Sequence, residues 1–259
     1  MIIDTHIHLD NNSYREDLDT VLEKAKDAGV IKYIIPGADP ATLDYAVSLA
    51  EKYDAIYFAV GVHPYDIDSY EQLDFEKYLH HKKCVAVGEC GLDYYRLEGS
   101  DEAKELEKQR QKQIFRSQIQ WAKRFKKPLI VHIRDASSDA KAILLEEDAH
   151  TVGGVLHCYN ADEQLLMLAE KKFYFGIGGV VTFKNAKKLI NVLPKIPQNR
   201  LLIETDGPYL TPHPHRGIRN EPFYCTLVVE KIAELLMLPK EAIERLSTGN
   251  ANTLFGFAS

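Results

Sequence analysis

Two histidines one residue apart, His6 and His8, close the apolar N-terminal run Met1-Ile2-Ile3-Asp4-Thr5-His6-Ile7-His8. Side chains alternate along an extended strand, so imidazoles at i and i+2 project together and offer half of a metal site. Taken alone, the pair is also what a chance strand end supplies in a chain with 10 histidines. Four more residues of metal-binding type give it weight, because each follows a later apolar run. Glu89 follows residues 83–88, His132 follows 128–131, His157 follows 153–156, and Asp206 lies just past 200–204. Four imidazoles and two carboxylates exceed the needs of one ion, and a carboxylate can bridge two. The set therefore suits two divalent ions roughly 3.5 to 4 Å apart. The expected partition gives His6, His8 and Asp206 to one ion and His132 and His157 to the other, with Glu89 between them.

Such residues meet only if the intervening chain brings strand ends to one face. Apolar strand signals occur at residues 1–8, 30–36, 56–60, 83–88, 128–131, 153–156, 173–178 and 200–204, with helical patterns between them. Ser13-Tyr14-Arg15-Glu16 reads as a capping box before a helix with Leu18, Val21, Leu22 and Ala25 on its inner face, stopped at Gly29. Asp39-Pro40 opens the next helix, with proline in the first turn. The longest pattern, residues 101–126, sets Leu106, Ile114, Trp121 and Phe125 on one side. Its lysines and arginines are interleaved with glutamates and aspartates, which favours a solvated outer face over a nucleic-acid stripe. Further helices are expected at 137–147, 162–171, 185–193, 222–238 and 239–247. Eight strands alternating with helices predict an α/β protein of the (β/α)8 TIM-barrel class, one domain over residues 1–259, with the site at the C-terminal ends of the strands. An open doubly wound sheet fits less well, because the first strand-to-helix junction has no glycine-rich phosphate loop.

Composition narrows the function classes. With 45% hydrophobic residues the chain can bury a full core, and no run reaches the roughly 20 apolar residues of a membrane span. No basic or cleavable apolar leader is present, so the expected location is cytoplasmic. Cys84, Cys90, Cys158 and Cys225 have no C-x-x-C spacing and read as reduced, buried thiols, with Cys90 and Cys158 turned away from their neighbouring ligands. The net charge of −6 argues against holding long duplex DNA by charge alone. A nucleic-acid substrate would have to be gripped locally, by metal ions and a few basic side chains.

The phrases Asp4-Thr5-His6-Ile7-His8, Gly61-Val62-His63-Pro64, Val87-Gly88-Glu89-Cys90-Gly91-Leu92-Asp93-Tyr94, Val131-His132-Ile133-Arg134-Asp135-Ala136, His157-Cys158-Tyr159-Asn160 and Glu204-Thr205-Asp206-Gly207-Pro208-Tyr209-Leu210 carry a resemblance, as do Arg219-Asn220-Glu221-Pro222 and Thr248-Gly249-Asn250-Ala251. Together they resemble the motif set of the TatD-type metal-dependent deoxyribonucleases, in order over nearly the whole chain. The resemblance implies an amidohydrolase-like barrel, a centre of two divalent ions built on the same six ligands, and hydrolysis of DNA phosphodiesters, commonly as a 3′ exonuclease on single strands. Two departures stand out. Ile218 occupies a place where many members have lysine, and Asn160-Ala161 stands where many have Ser-Gly.

The chemistry expected is attack by a metal-activated water, with Asp206 as general base and Glu89 as its partner across the ions. Arg134, on the same face as His132, is the first candidate for a phosphate clamp, or else a salt-bridge partner of Asp135 or Glu204. Lys184, His213, His215, Arg216 and Arg219 follow the last two strands, where barrels often bind phosphate. Arg219 serves equally as a loop anchor through Glu221. His63 suits either substrate contact or a loop-fixing hydrogen bond; Tyr94 and Tyr209 suit base stacking or packing. Glu204 is expected to orient a ligand histidine. The expected substrate is DNA, single-stranded or at 3′ ends, with Mg, Mn or Zn as the metal and neither membrane nor obligate protein partner. A phosphoesterase, lactonase or amidase acting on a small substrate would use the same water. A metal-binding scaffold without turnover is the alternative of another class.

Overall fold

The computed structural model describes residues 1–257. Eight parallel strands hydrogen-bond in sequence order: β1 Ile2–Asp4, β2 Val30–Ile35, β3 Ile56–Val60, β4 Cys84–Asp93, β5 Leu129–Arg134, β6 Gly154–Leu156, β7 Phe173–Ile177 and β8 Leu201–Ile203. The ring closes between the first and last of these. Thr5 N donates to Ile203 O (3.1 Å), Asp206 N to His6 O (2.9 Å) and His8 N to Gly207 O (2.8 Å). The buried Asp4 carboxylate reinforces the seam by accepting from Thr205 N (3.0 Å) and Thr205 Oγ1 (2.6 Å). The expected TIM barrel is the observed architecture.

Alternation explains the core. Ile3, Ile34, Ala59, Ala86, Ile130, Val155, Tyr174 and Leu202, one from each strand, fill the barrel interior, and Ala251, Phe255 and Phe257 plug its lower end. Burying such side chains contributes about 1.5–3 kcal/mol each for the larger ones. The outward residues, among them Val60, Val87, Val131, Leu156, Phe175 and Ile203, pack beneath the surrounding helices. These are α1 Leu18–Asp27, α2 Leu43–Lys52, α3 Phe75–Leu79, α4 Asp101–Phe125, α5 Ser137–Glu146, α6 Lys187–Val192, α7 Cys225–Leu236 and α8 Lys240–Phe255, with a 3-10 helix at Glu163–Lys171 in the sixth crossover.

Three local expectations are corrected. The Ser13 to Glu16 capping box does not form. Asn11 caps instead, its Oδ1 accepting from Ser13 N at 2.9 Å, and the following 3-10 turn Asn12–Tyr14 drives Tyr14 into the core before α1 begins at Leu18. Helix α4 buries Gln111, Phe115, Gln118, Ile119 and Ala122, whereas Leu106 is exposed. Its two buried glutamines replace apolar contacts by clamping backbone. Gln118 accepts from Val62 N (2.8 Å) and donates to Val62 O (2.9 Å), and Gln111 does the same at Asp93 (2.9 and 3.1 Å). Strand β4 continues to Asp93, through residues expected to lie in a loop. The charged face of α4 is ion-paired, with Arg116 on Glu146 and Glu147, Lys112 on Asp139, and Arg110 on Asp68 and Glu107.

Candidate metal centre

Two irregularities aim the first donors. Ladder pairing of β1 ends at Asp4 and the chain bends at His6. Ile3 therefore belongs to the interior while Ile7, four residues later, packs with Ile2 in the outer layer. That change of parity turns His6 and His8 into the barrel mouth. In β4 the register against β5 shifts between Val87 and Cys90. Val87 and Cys90 both pack outward, so the residue between Gly88 and Cys90, Glu89, points inward, as do Gly91 and Asp93 beyond it. Regular alternation suffices for β5, where Ile130, His132 and Arg134 share a face. His157 follows β6 in the same sense. Asp206 adopts a positive φ of 60° just past β8, and Cys90 and Cys225 lie buried.

Glu89 is the hub. His132 Nδ1 lies 2.9 Å from its Oε1, His63 Nε2 at 3.6 Å and His157 Nε2 at 3.7 Å, while His6 Nε2 is 3.3 Å from Oε2. Asp206 Oδ1 faces His8 Nε2 at 3.5 Å, His6 Nε2 at 3.8 Å and His157 Nε2 at 4.0 Å. The rings of His6 and His157 stack at 3.4 Å. Donor atoms come within 4.8 Å of one another in three sets: His6, His8 and Asp206; His6, Glu89 and His157; and His63, Glu89 and His132. All six expected ligands thus converge, but His132 groups with His63 and not with His157, whose ring is 6.2 Å away. The reason is Asp93, which holds His132 Nε2 at 2.9 Å. Both nitrogens of His6 are buried without a hydrogen-bond partner. Unsatisfied imidazole nitrogens cost free energy unless a Lewis acid takes the lone pair, so this donor set fits divalent ions.

Electrostatics agree with a site designed around positive charge. Burial alone would raise Glu89, yet the imidazoles of His6 and His157 and a hydrogen bond from His132 hold it well below the usual carboxylate range. Asp206 is lowered likewise, its burial outweighed by His8, His157 and His6. Burial presses His6 down, and His63 down to about 3. His157 is lifted to about 10, because Glu204 and Glu89 outweigh its burial. Glu204 Oε1 sits 3.1 Å from His157 Nδ1, leaving Nε2 toward Glu89 and Asp206, the orienting role expected of it. A Cβ at Gly176 would come within 2.1 Å of Glu204 Oε2, so only glycine leaves room for that carboxylate.

The other expected contacts divide. His63 is buried among the donors, and its Nδ1 accepts from Tyr65 N at 3.1 Å, so it both fixes the loop and faces Glu89. Arg134 lines the cavity above His132, His157 and Asp206. Its guanidinium stacks on Tyr95 at 3.7 Å and, among the described residues, has no ion pair with Asp135 or Glu204. Tyr94 packs aside, its hydroxyl donating to Asp139 at 2.8 Å, whereas Tyr209 is exposed beside His8. Lys184 and His213 are exposed and do not line that cavity. Arg216 donates to Thr211 O, and His215 lies against Tyr224. Arg219 is a loop anchor: it donates to Asp17 (2.9 and 2.7 Å) and Glu221 (2.9 Å), which corrects its candidacy for substrate contact. Asp93 is the residue that sequence reading missed. It stood in the Gly91-Leu92-Asp93-Tyr94 phrase, and its even spacing, two residues from Gly91 and four from Glu89, was the available signal.

Comparison with known proteins gives one consistent family. The sequence model described as TatD related DNase matches residues 3–256. YabD of Bacillus subtilis strain 168, an uncharacterized metal-dependent hydrolase, is 46% identical over 259 residues, covering 98% of this chain and 99% of its own. YcfH of Escherichia coli K12, described in the same words, is 38% identical over 261 residues, covering 98% and 95%. The crystal structure of YjjV, a TatD homologue from Escherichia coli K12, superposes with a TM-score of 0.87 at 30% identity, covering 99% of this chain and 98% of that one.

Proposed function

The chain belongs to the TatD related DNase family of metal-dependent hydrolases, and we propose that it cleaves DNA phosphodiester bonds, acting as a 3′ to 5′ exonuclease on single strands. The observation that carries this reading is the pairing of the carboxylate–imidazole cluster with uncommitted arginines. Arg134 and Arg96 line the same cavity as His132, His157 and Asp206. A neutral carbon ester or amide brings no charge of its own for such cations to pair with on binding, whereas each phosphate of a nucleic acid does.

His6, His8, Glu89, His132, His157 and Asp206 would hold two divalent ions, of which Mg, Mn and Zn are the candidates, with His63 close behind. Divalent ions in such a site make a water acidic enough to attack near neutral pH and offset charge on the phosphoryl oxygens. Asp206 lies at the mouth, partly exposed, and its depressed basicity keeps it ionised to orient that water and take its proton. Glu89, fully enclosed, supplies the negative charge that keeps the imidazoles together. Asp93 and Glu204 fix the rotation of His132 and His157. Arg134 neutralises the phosphate as negative charge builds on it.

The test is incubation of metal-stripped protein with 3′-labelled and 5′-labelled single-stranded oligonucleotides, adding Mg, Mn or Zn, with Asp206→Asn as the control. The expected result is stepwise, metal-dependent shortening from the 3′ end that the variant lacks. No shortening with any ion, from protein shown to hold metal, refutes the nuclease reading and directs attention to small phosphate and lactone substrates.

A further inference from the structure

A second polar cavity adjoins the metal cavity. It measures about 440 Å³ and is lined by Tyr94, Arg134, Ser137, Asn160, Gln164 and Lys188, among others. The metal cavity, of about 460 Å³, shares Arg134 and Asn160 with it, so these two side chains form the wall between them. Each volume lies in the range that accommodates one small ligand.

The two arginines near that wall differ from the ion-paired arginines of the chain and share their arrangement with Arg15, which lies over the Tyr45 ring at 4.7 Å. Arg110, Arg116, Arg124 and Arg219 are each neutralised by a carboxylate. Arg134 and Arg96, among the described residues, have neither a carboxylate nor a hydrogen-bond partner, and each lies over a tyrosine ring instead, Tyr95 at 3.7 Å and Tyr65 at 4.8 Å. Stacking of this kind holds a guanidinium in place while leaving its donors free for an anion. Arg134 stands two residues beyond His132 on the same face of β5, roughly 6.6 Å along the strand. That is about one nucleotide of an extended strand away from the metal donors. Tyr95 itself is 61% exposed, a surface on which a base can stack. The second cavity beyond Arg134 presents hydroxyl and amide groups beside the carboxylates of Asp135, Asp139 and Asp162, with Ser138 Oγ on Gln164 (3.2 Å) and Asn160 Nδ2 on Ser137 Oγ (3.0 Å), a lining suited to the neutral sugar and base of a nucleotide and not to its phosphate.

We propose that this cavity is a nucleotide subsite: it takes the nucleoside adjoining the phosphodiester at the metal donors, with Arg134 on the intervening or next phosphate and Arg96 flanking it. The proposal deepens the nuclease reading and rests on it for the substrate class. It makes recognition depend on two consecutive nucleotides of one strand, with Ser138 and Lys188 on the far side of Arg134 as contact residues.

The test measures the affinity gained from one nucleotide to two. 5′-Phosphorylated thymidine mono-, di- and trinucleotides compete against a fluorescein-labelled hexathymidylate on metal-loaded protein, read by anisotropy, in an Asp206→Asn background to prevent turnover. The dinucleotide should bind at least tenfold tighter than the mononucleotide, with little more from the third unit. In Arg134→Ala, and independently in Ser138→Trp, which fills the cavity from its exposed wall, that gain should fall to threefold or less; Arg134→Lys should restore part of it. A gain that persists in both variants, or that is missing from the parent, overturns the subsite. The nuclease reading is judged separately by the cutting assay. Oligonucleotides that are cut but show no two-nucleotide gain sink the subsite alone, and a gain without cutting sinks the nuclease alone.

Discussion

Replacing Asp93 with asparagine should weaken metal binding at the donors around His132 while leaving the barrel folded. Asp93 is fully buried, and its two oxygens serve three neighbours. Oδ2 takes the Tyr65 hydroxyl at 2.6 Å and His132 Nε2 at 2.9 Å, and Oδ1 accepts from Tyr95 N at 2.9 Å. With Nε2–H held by Asp93, Nδ1, which here faces Glu89 Oε1 at 2.9 Å, is the nitrogen left to serve an ion once its proton is released. Asparagine has one accepting oxygen where aspartate has two. If its amide nitrogen takes the Oδ1 position it meets the N–H of Tyr95; if it takes the Oδ2 position it meets Nε2–H. One bond is lost either way, and a hydrogen bond to a charged group is worth about 1.5–3 kcal/mol. Loss of a carboxylate that orients a ligand histidine costs roughly 10–100-fold in metal affinity, and the two figures agree, since each tenfold is about 1.4 kcal/mol. Titration calorimetry on metal-stripped protein should show one binding step weakened by that factor and the other changed by less than about threefold, with Tyr65→Phe giving a smaller loss in the same step. Wild-type isotherms and wild-type turnover in both Asp93→Asn and Asp93→Ala would refute the role.

Removing divalent ions should lower the melting temperature by about 5–10 °C relative to protein at a hundredfold excess over the dissociation constant, because that occupancy contributes about 2.7 kcal/mol and a chain of this size moves roughly 2–4 °C per kcal/mol; a scan with and without chelator decides it. Arg219→Ala should cost about 1–2 kcal/mol by freeing the loop from Asp17 and Glu221, and the salt dependence of oligonucleotide binding should not change, whereas a phosphate contact would reduce that slope by about one. Asp139 is partly buried, which would raise it, but Lys112 at 2.8 Å and the Tyr94 hydroxyl hold it below its usual value. A carboxylate depressed on folding contributes stability above its unfolded pKa and loses it as pH falls through the folded one. Asp139→Asn should therefore be less stable than wild type at pH 7, by under about 1 kcal/mol because the pair is partly solvated, and in thermal melts the difference should shrink as acid protonates the folded carboxyl.

The strand order was legible because parallel strands in such barrels are short apolar runs and the residues after them are polar and ionisable. Glu89, His132, His157 and Asp206 could be picked out by that contrast alone. The facing of His6 and His8 was reached by an incomplete route. Alternation from Ile3 would have sent both outward, and only the bend at His6 sends them in. Two residues past a bend still share a face, so the pair survived an irregularity that the sequence does not announce. Glu89 depends on a register shift in the same way.

Asp93, Gln111 and Gln118 escaped notice for a common reason. Periodicity reads apolar residues as inside and polar ones as outside, and these three are polar and buried because each satisfies a neighbour's backbone or imidazole. The glutamines stand seven apart on α4, two turns of one face. One clamps Val62, next to His63, and the other clamps Asp93, next in line to His132. Helix α4 thus fixes the backbone of the loop after β3 and of the end of β4, beside the carboxylate–imidazole cluster, through amide pairs that no apolar side chain could reproduce. Fixed backbone at Val62 and Asp93 fixes in turn the rings of His63 and His132 around Glu89. The charged face of α4, expected to be a solvated outer face and not a nucleic-acid stripe, is ion-paired, and the helix contributes to the site through its opposite face, by way of two uncharged residues.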